Sequence, residues 1–378
     1  MEKIIVFAFP VFLFLICLEF AYGWLRQRNS YRLNDALSSL SQGLISQLLA
    51  LVTQLFQIGL YTLVFKALMS NALTIAPNEK FWDTWVGWVL AVVLFDFFDY
   101  WLHRAGHECA LLWAAHVVHH QSQHLNFSTA LRQESAVAFI GWIFYLPMAL
   151  AGVPPEQFAA AGLIVLVYQF WIHTEHIGKL GWFDRVFSSP SNHRVHHAVN
   201  DQYINRNYGG MLVIWDRLFG TFAEEQAPCV YGTRKPLNSW DPGWAIVAEY
   251  ASLAQASRQT RAWPDKLRVW FKQPGWRPAD AVPEPSFDLE AAKHLHEVSG
   301  ADPAPVFASL QFALMTMATA VCLWYAEELS YPQSLGLCAA IIAGLWALGA
   351  HLQGRMRVLP VLAIDFAGLA AAYLIFHH

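Results

Sequence analysis

Histidine is concentrated in one part of this chain, where it recurs at helical spacing. Of the 16 histidines, 11 fall between positions 103 and 197. Residues three and four positions apart share one face of an α-helix, so their imidazoles can be aimed in one direction. Three boxes have that spacing, with the sequences HRAGH, HVVHH and HRVHH. Their eight histidines are His103, His107, His116, His119, His120, His193, His196 and His197.

A ninth histidine, His173, lies at the end of an apolar run between the second and third boxes. Nine imidazoles exceed the roughly four to six ligands that one ion takes, and they suit two ions. Imidazole binds iron, zinc, copper and nickel, so the spacing leaves the metal open. His176 is three residues further on and is either a tenth ligand or a hydrogen-bond donor to one. His124 is expected to be structural.

Ligating histidines need their second ring nitrogen held, usually by a carboxylate or a carbonyl oxygen. Asp96 and Asp99 precede His103 by about two turns and one turn of helix, and Glu108 follows His107 directly. Carboxylates near a membrane span are costly and therefore candidates for such a function. The competing interpretation is that both aspartates pair with Arg104, Arg132 or Tyr100. Glu108 and Glu175 are further candidates to orient a ligand or to handle a proton.

The composition places these histidines in a membrane protein. Hydrophobic residues make up 56% of the chain and charged residues only 14%, well below the roughly 25% charged residues of soluble proteins. The net charge of −4 leaves no basic field for nucleic acid. The five cysteines are scattered without a CxxC pair, which argues against a disulfide framework and a thiolate metal site.

Apolar runs long enough to cross about 30 Å of hydrocarbon predict eight membrane spans. The lysines and arginines cluster on one side of these spans. They lie in the loop after the first span, in the long segment after the fifth and in the loop after the seventh. By the positive-inside rule, 24–42, 103–134, 174–305 and 353–357 are then cytoplasmic, with both termini outside. The predicted spans are 4–23, 43–69, 82–102, 135–152, 156–173, 306–327, 333–352 and 358–376.

We therefore predict an all-α fold, a polytopic membrane helical bundle with a cytoplasmic histidine-rich di-metal cap. Residues 1–42 form an N-terminal transmembrane helix and a basic loop, and 43–225 form the catalytic core. The proline-rich segment 226–305 is a cytoplasmic connector with an amphipathic helix around 243–272. Residues 306–378 form a C-terminal three-helix transmembrane extension, which could complete a lipid tunnel, mediate dimer contacts or cap the fold.

The three boxes resemble the HxxxH, HxxHH and HxxHH boxes of the fatty acid hydroxylase/sterol desaturase superfamily, over roughly residues 45–225. Further stretches resemble its alkylglycerol monooxygenase subgroup: WAAH before the second box, YQFWIHTE at 168–175, NYGG at 207–210 and WDRLFGTF at 215–222. The resemblance implies that the nine histidines bind two iron ions that activate O₂, and it favours Glu108 as a catalytic residue.

The resemblance also implies a reaction, the hydroxylation of a membrane lipid at a C–H bond. On an alkyl glycerol ether, hydroxylation beside the ether oxygen gives a hemiacetal, which separates into an aldehyde and free glycerol. The implied electron source is tetrahydrobiopterin. The sequence has no GxGxxG motif after a strand, so the donor is external, either a pterin or a partner redox protein.

Three alternatives remain to be compared with this interpretation. A sterol or fatty-acyl hydroxylase or desaturase would use the same metal site on a different lipid. A haem protein would carry histidine pairs deep within its spans, and a metal transporter would carry polar ligands at mid-membrane. The positions of the boxes at the ends of spans argue against the last two.

Overall fold

The computed structural model describes residues 2–53, 56–75, 79–283, 285–296 and 304–377. These residues form helices and connecting segments without any named β-strand, which confirms the predicted all-α class. Two isolated β-bridges, Phe187 to Leu212 and Ala198 to Tyr231, are the extended pairings within these ranges. The predicted connector includes Glu284 and the whole stretch 297–303, which lie outside the described residues.

Eighteen α-helices follow one another along the described chain. The first nine are α1 (Glu2–Leu25), α2 (Leu33–Val52), α3 (Phe56–Ser70), α4 (Glu79–Trp82), α5 (Trp85–Glu108), α6 (Ala110–His120), α7 (Phe127–Ala130), α8 (Val137–Gly141) and α9 (Leu146–Leu150). The others are α10 (Pro155–Trp171), α11 (Pro190–His197), α12 (Ile214–Phe219), α13 (Pro242–Gln259), α14 (Trp263–Phe271), α15 (Leu289–Ala292), α16 (Pro305–Trp324), α17 (Tyr331–Leu352) and α18 (Val358–His377).

Helices lie at all eight positions predicted as membrane spans, but fewer of them qualify as spans. Within the described residues, four helices, α1, α5, α16 and α17, are long and apolar enough to cross a membrane, or five segments if the bent pair of α2 and α3 counts as one. The predicted span 43–69 is divided between α2 and α3, whose axes differ by 41°. Two shorter apolar segments, Val137–Leu150 and Val358–Leu374, occupy two more of the predicted positions.

The predicted span 135–152 is not one continuous helix. It consists of α8, a 3₁₀ turn at Trp142–Tyr145, and α9. Pro147 lies in the first turn of α9 and has no backbone N–H to continue the hydrogen-bond ladder of α8, which explains the interruption. The predicted amphipathic segment 243–272 is likewise two helices, α13 and α14, separated at Thr260.

The two larger of four apolar cores in the described part of the chain hold most of the long helices together. The first joins α2 to α16 and α17, where Leu48 and Leu345 are completely buried. The second joins α5 to α9 and α10, where the rings of Phe95 and Phe158 pack in a tilted arrangement at a centroid distance of 5.5 Å. Because α5 carries the first histidine box and α10 leads to His173, the second core fixes the relative position of two parts of the site.

Small residues let these helices approach closely, as is common where helices pack within a membrane. A Cβ atom on Gly344 of α17 would lie 2.3 Å from the sulfur of Met315 on α16. A Cβ atom on Gly162 of α10 would lie 2.9 Å from the ring of Phe95 on α5. Larger residues at either glycine would push the paired helices apart.

The carboxylate of Glu19 attaches α1 to the rest of the protein. It accepts hydrogen bonds from the hydroxyls of Tyr31 and Thr174 and, at 2.8 Å, from the backbone N–H of Phe127. Glu19 is only 6% exposed although it lies in an apolar helix. Since Thr174 directly follows His173, this buried carboxylate positions α1 beside the histidine-rich region.

We expect the substitution Glu19→Ala to lower the free energy of unfolding by about 2–3 kcal/mol, because it leaves a buried N–H and two hydroxyls without their acceptor. Thermal unfolding of the purified protein in detergent measures the change. Glu327→Ala, which alters an exposed glutamate between α16 and α17, is the matched control and should unfold like the unaltered protein. Equal unfolding temperatures for both variants would contradict the anchoring role of Glu19.

Candidate metal centre

The three boxes lie on three helices, as their spacing predicts. The first box forms the last turns of α5, the second ends α6, and the third ends α11. Helix α5 stops at Glu108, and α6 starts after the single extended residue Cys109, so the first two boxes face each other across a tight corner. The Ser189 side chain caps α11 by accepting from the N–H of Asn192.

The nine histidines come together as two sets, each with its candidate ligand atoms within 4.8 Å of one another. One set contains five residues, His103, His107, His116, His120 and His196. The other contains four, His119, His173, His193 and His197. The sets adjoin, because the rings of His120 and His197 stack with their centroids 4.4 Å apart. The arrangement therefore fits two neighbouring ions.

Each HxxHH box divides its histidines between the two sets. On α6, His116 and His120 belong to the five-residue set and His119 belongs to the four-residue set. Residues four apart on a helix are offset by only about 40°, whereas residues three apart are offset by about 60° in the opposite sense. Helices α6 and α11 thus lie between the two sets and contribute to both, a division that spacing alone does not reveal.

Hydrogen bonds to backbone carbonyls fix which ring nitrogen carries the proton. The Nδ1 atom of His119 lies 3.0 Å from the carbonyl oxygen of Arg132, and that of His173 lies 2.7 Å from the carbonyl oxygen of Gln169. A carbonyl only accepts, so both Nδ1 atoms are protonated and both Nε2 atoms present lone pairs. These two Nε2 atoms are 3.1 Å apart, and their lone pairs repel each other unless a cation lies between them.

The same arrangement recurs in the five-residue set. His103 donates from Nδ1 to the carbonyl oxygen of Tyr208 at 2.7 Å, and His116 donates from Nδ1 to the Glu134 carboxylate at 2.6 Å. Their Nε2 atoms are 3.2 Å apart. Two nitrogens bound to one ion at about 2.1 Å and about 90° apart would be separated by about 3.0 Å. The nitrogen spacings therefore suit adjacent ligands of a metal ion.

Burial keeps the imidazoles neutral, which metal binding requires. It lowers the pKa of His116 to about 3 and that of His119 to about 4. It also holds the pKa of His193, His196 and His197 well below the usual value of histidine. The Nε2 atoms of His107 and His196 are buried without a hydrogen-bond partner, as expected for atoms directed at a metal ion.

Glu134 is a functional candidate that the sequence analysis missed. It lies 18 residues beyond His116, outside any box. Its carboxylate accepts a hydrogen bond from the Nδ1–H of His116. A carboxylate in this position orients the imidazole and raises its basicity toward a metal. The neighbouring Arg132 contributes a backbone oxygen to His119 from the same segment. The sequence Arg-Gln-Glu at 132–134 therefore supports one histidine of each set.

The hydrogen-bond partners of Asp96 and Asp99, the two aspartates considered from sequence, are groups other than the histidines. Asp96 accepts from the N–H groups of Met211 and Leu212, at 2.7 and 3.1 Å, and from the indole N–H of Trp215. It thereby holds the loop that supplies the Tyr208 carbonyl to His103. Asp99 accepts from the Tyr145 hydroxyl at 2.8 Å. Neither aspartate pairs with an arginine or Tyr100 among its described hydrogen bonds, which argues against the competing interpretation.

A third carboxylate, Asp216, completes the support of this loop. It is fully buried and accepts from the N–H groups of Tyr208 and Gly209, at 2.7 and 2.8 Å. It also accepts from the Thr221 hydroxyl at 2.6 Å. The NYGG and WDRLFGTF stretches are therefore one hydrogen-bonded unit beneath His103.

The remaining sequence candidates lie outside both sets. Glu108 extends α5 beyond His107, is partly exposed and pairs with Arg104 at 3.0 Å. The ring of His176 packs at 5.3 Å from that of Tyr22 on α1. His124 follows the second box, and its carbonyl accepts from Ser122 and Thr129. The catalytic role of Glu108 stays a prediction.

A cavity of about 610 Å³ reaches both sets. Four histidines line it, His103 and His116 from one set and His119 and His173 from the other. In each of these two residue pairs, the Nε2 lone pairs point toward each other, as described above. Away from the histidines the walls are largely apolar side chains of α1, α2, α10 and α16. The cavity thus connects the metal centre with the apolar helices.

A sequence model of the fatty acid hydroxylase family matches residues 88–221. An alkylglycerol monooxygenase of Danio rerio is 40% identical over 272 residues, which cover 72% of this chain and 59% of that protein. The alkylglycerol monooxygenase of Homo sapiens is 36% identical, over 82% of this chain and 68% of its own length. A Delta(7)-sterol 5(6)-desaturase of Aspergillus fumigatus is 29% identical, over 37% of this chain and 40% of its own length. No solved structure matches the chain.

We expect Glu134→Gln to weaken metal binding by about 10- to 100-fold, because a neutral amide oxygen accepts the hydrogen bond from His116 Nδ1–H more weakly than a carboxylate and no longer raises the basicity of the imidazole. Competition with a chelator, followed by metal analysis of the protein, measures the affinity. Glu156→Gln, at the exposed start of α10, is the matched control. Unchanged affinity in Glu134→Gln would show that the carboxylate does not support a metal ligand.

We expect about two metal ions per chain, and about one in each of the variants His119→Ala and His196→Ala, because each removes a ligand from a different set. Elemental analysis of protein purified in parallel measures this. His294→Ala, an exposed histidine outside both sets, should retain both ions. Full metal content in both box variants would rule out these sets as binding sites.

Proposed function

The chain belongs to the fatty acid hydroxylase family, and from that premise we propose that it is an integral membrane monooxygenase that hydroxylates a lipid. The observation that carries the proposal is the continuity between the cavity and the histidines. A mostly apolar cavity ends at four imidazoles, two from each candidate metal set. A long hydrocarbon chain would therefore enter beside both ions.

Iron is the metal we propose for both sets, and bound there it would supply the activation of O₂ and the oxidation of a C–H bond. The all-imidazole ligand set suits iron and also suits zinc or copper, so the choice of iron rests on the monooxygenase relatives. The protein's own contribution is to fix the tautomers, through the carbonyls of Arg132, Gln169 and Tyr208 and the carboxylate of Glu134.

The cavity would position the lipid and exclude water from the reacting carbon. Its apolar walls favour the hydrocarbon chain, at about 0.8 kcal/mol for each buried methylene. Near the histidines the lining includes Asp99, Gln133, Glu134 and Gln169, which can hydrogen-bond a polar head group. A lipid bound in this way places the bond between head group and chain next to the metal sets.

We propose an alkyl glycerol ether as the substrate. Hydroxylation of the carbon beside the ether oxygen would give a hemiacetal that separates into an aldehyde and free glycerol. The proposal is supported by the two alkylglycerol monooxygenases, which align over 72% and 82% of this chain. The alternative, a sterol or fatty-acyl hydroxylase or desaturase, is less well supported because the sterol desaturase aligns over only 37% of the chain.

The proposed electron donor is external to the chain, a reduced pterin in the first instance and a redox protein in the second. We place the metal centre on the cytoplasmic side of a multi-pass protein, as the distribution of lysine and arginine predicts. Glu108 is proposed as a catalytic residue beside the five-residue set, where it could handle a proton next to His107.

We expect the iron-loaded protein, given O₂ and tetrahydrobiopterin, to convert an alkyl glycerol into a fatty aldehyde, with one atom of ¹⁸O₂ recovered in the aldehyde. Mass spectrometry of the products measures this, because the new oxygen at the oxidised carbon comes from O₂. The variant His196→Ala is the negative control. An ester-linked monoacylglycerol, which lacks the ether carbon, serves as the control substrate.

The outcomes separate the candidate functions. An unsaturated lipid without incorporated oxygen would indicate a desaturase and contradict the monooxygenase proposal. Turnover of a sterol in preference to alkyl glycerols would support the alternative substrate. Turnover that requires a reduced ferredoxin and does not depend on the pterin would support the proposed reaction and identify a redox protein as the electron donor.

A further inference from the structure

Helix α16 forms part of the cavity although it lies far along the chain from the histidines. Phe312 and Thr316, four residues apart and therefore on one face of α16, both line the cavity. The family match ends at residue 221, so these two residues belong to a part of the protein that the family model does not cover. The cavity is thus not complete without the C-terminal helices.

A series of ring contacts connects this wall with the metal centre. Phe170, one turn before His173, lines the cavity and lies 4.6 Å from the ring of Phe12 on α1. Helix α1 is in turn joined to α16, where the rings of Phe7 and Trp324 meet edge to face at 5.8 Å. Phe12 and Phe170 line the cavity together with Phe312 and Thr316, so the lining extends from beside His173 to α16.

Helix α16 is held in place by contacts that are independent of any lipid. Gln311 donates to the Asp365 carboxylate of α18 at 3.0 Å, and Met315 packs directly against Gly344 of α17. Phe312 is 8% exposed and belongs to the core shared by α2, α16 and α17. Because these contacts fix α16, the helix cannot move away easily to accommodate a longer hydrocarbon chain.

We infer that Phe312 and Thr316 of α16 form the end wall of the lipid cavity and select the length of the hydrocarbon chain. The inference rests on the proposed function, in that the reacting carbon is held at the histidines and the tail extends away from them. The tail of a bound alkyl lipid then ends against α16. Thr316 is suited to this role because its hydroxyl is engaged by the Phe312 carbonyl at 2.9 Å, which leaves its methyl group for apolar contact.

The substitution Thr316→Trp tests the inference by shortening the cavity. We expect the affinity for the longest alkyl glycerols to fall by about fourfold for each methylene that no longer fits, while the affinity for short ones is retained. Thr316→Leu should also favour shorter alkyl chains over longer ones, but by less than Thr316→Trp. Affinity is measured by competition against a fluorescent alkyl lipid, on the full-length metal-loaded protein in detergent, with turnover measured in parallel.

Met317→Trp is the matched control, because it adds the same ring at the next position of α16 on a side chain that is 62% exposed. It should leave the chain-length profile unchanged. The inference is overturned if Thr316→Trp and Thr316→Leu, with unaltered metal content, bind all chain lengths like the unaltered protein, or if Met317→Trp shifts the profile equally. A shifted binding profile without any lipid oxidation would uphold the inference and contradict the monooxygenase proposal.

Discussion

The structure depends on holding imidazole lone pairs closer together than they would stay by themselves. The Nε2 atoms of His119 and His173, and those of His103 and His116, approach to about the separation of adjacent ligands on one ion. Each approach is maintained by a hydrogen bond at the opposite side of the ring, where a carbonyl or carboxylate fixes the Nδ1 proton. Bound cations would convert this repulsion into attraction, so metal binding would also stabilise the local structure.

Much of the surrounding polar structure serves to hold those hydrogen-bond acceptors. Arg132, which supplies the carbonyl to His119, is 2% exposed and donates to the Val118 carbonyl and to the Gln121 side chain. Arg194, inside the third box, pairs with Glu225 and donates to the carbonyl of Thr174, beside His173. These buried arginines connect the loops to the boxes through hydrogen bonds and an ion pair.

The sequence predicted the parts of this site that depend on local spacing and missed those that depend on tertiary contacts. The nine histidines could be found because i, i+3 and i+4 positions share a helix face whatever the fold. Glu134 could not, because its approach to His116 depends on the turn after α6. The role of Glu19 likewise depends on the contact of α1 with the segments at Phe127 and Thr174. Likewise, hydropathy located apolar segments correctly but could not show that Pro147 interrupts one of them.

The cavity shows why the helices outside the matched region belong to the same functional unit. The metal centre is built within residues 103–197, yet an apolar chain bound beside it needs walls along its whole length. Those walls come from α1 and α2, which precede the family match, and from α16, which follows it. Because α16 is also packed against α2 and α17 in one core, the position of the end wall is set by the same contacts that stabilise the bundle. Relatives that share the histidine boxes but differ in these helices would therefore keep the chemistry of the metal centre and differ in the lipid they accommodate.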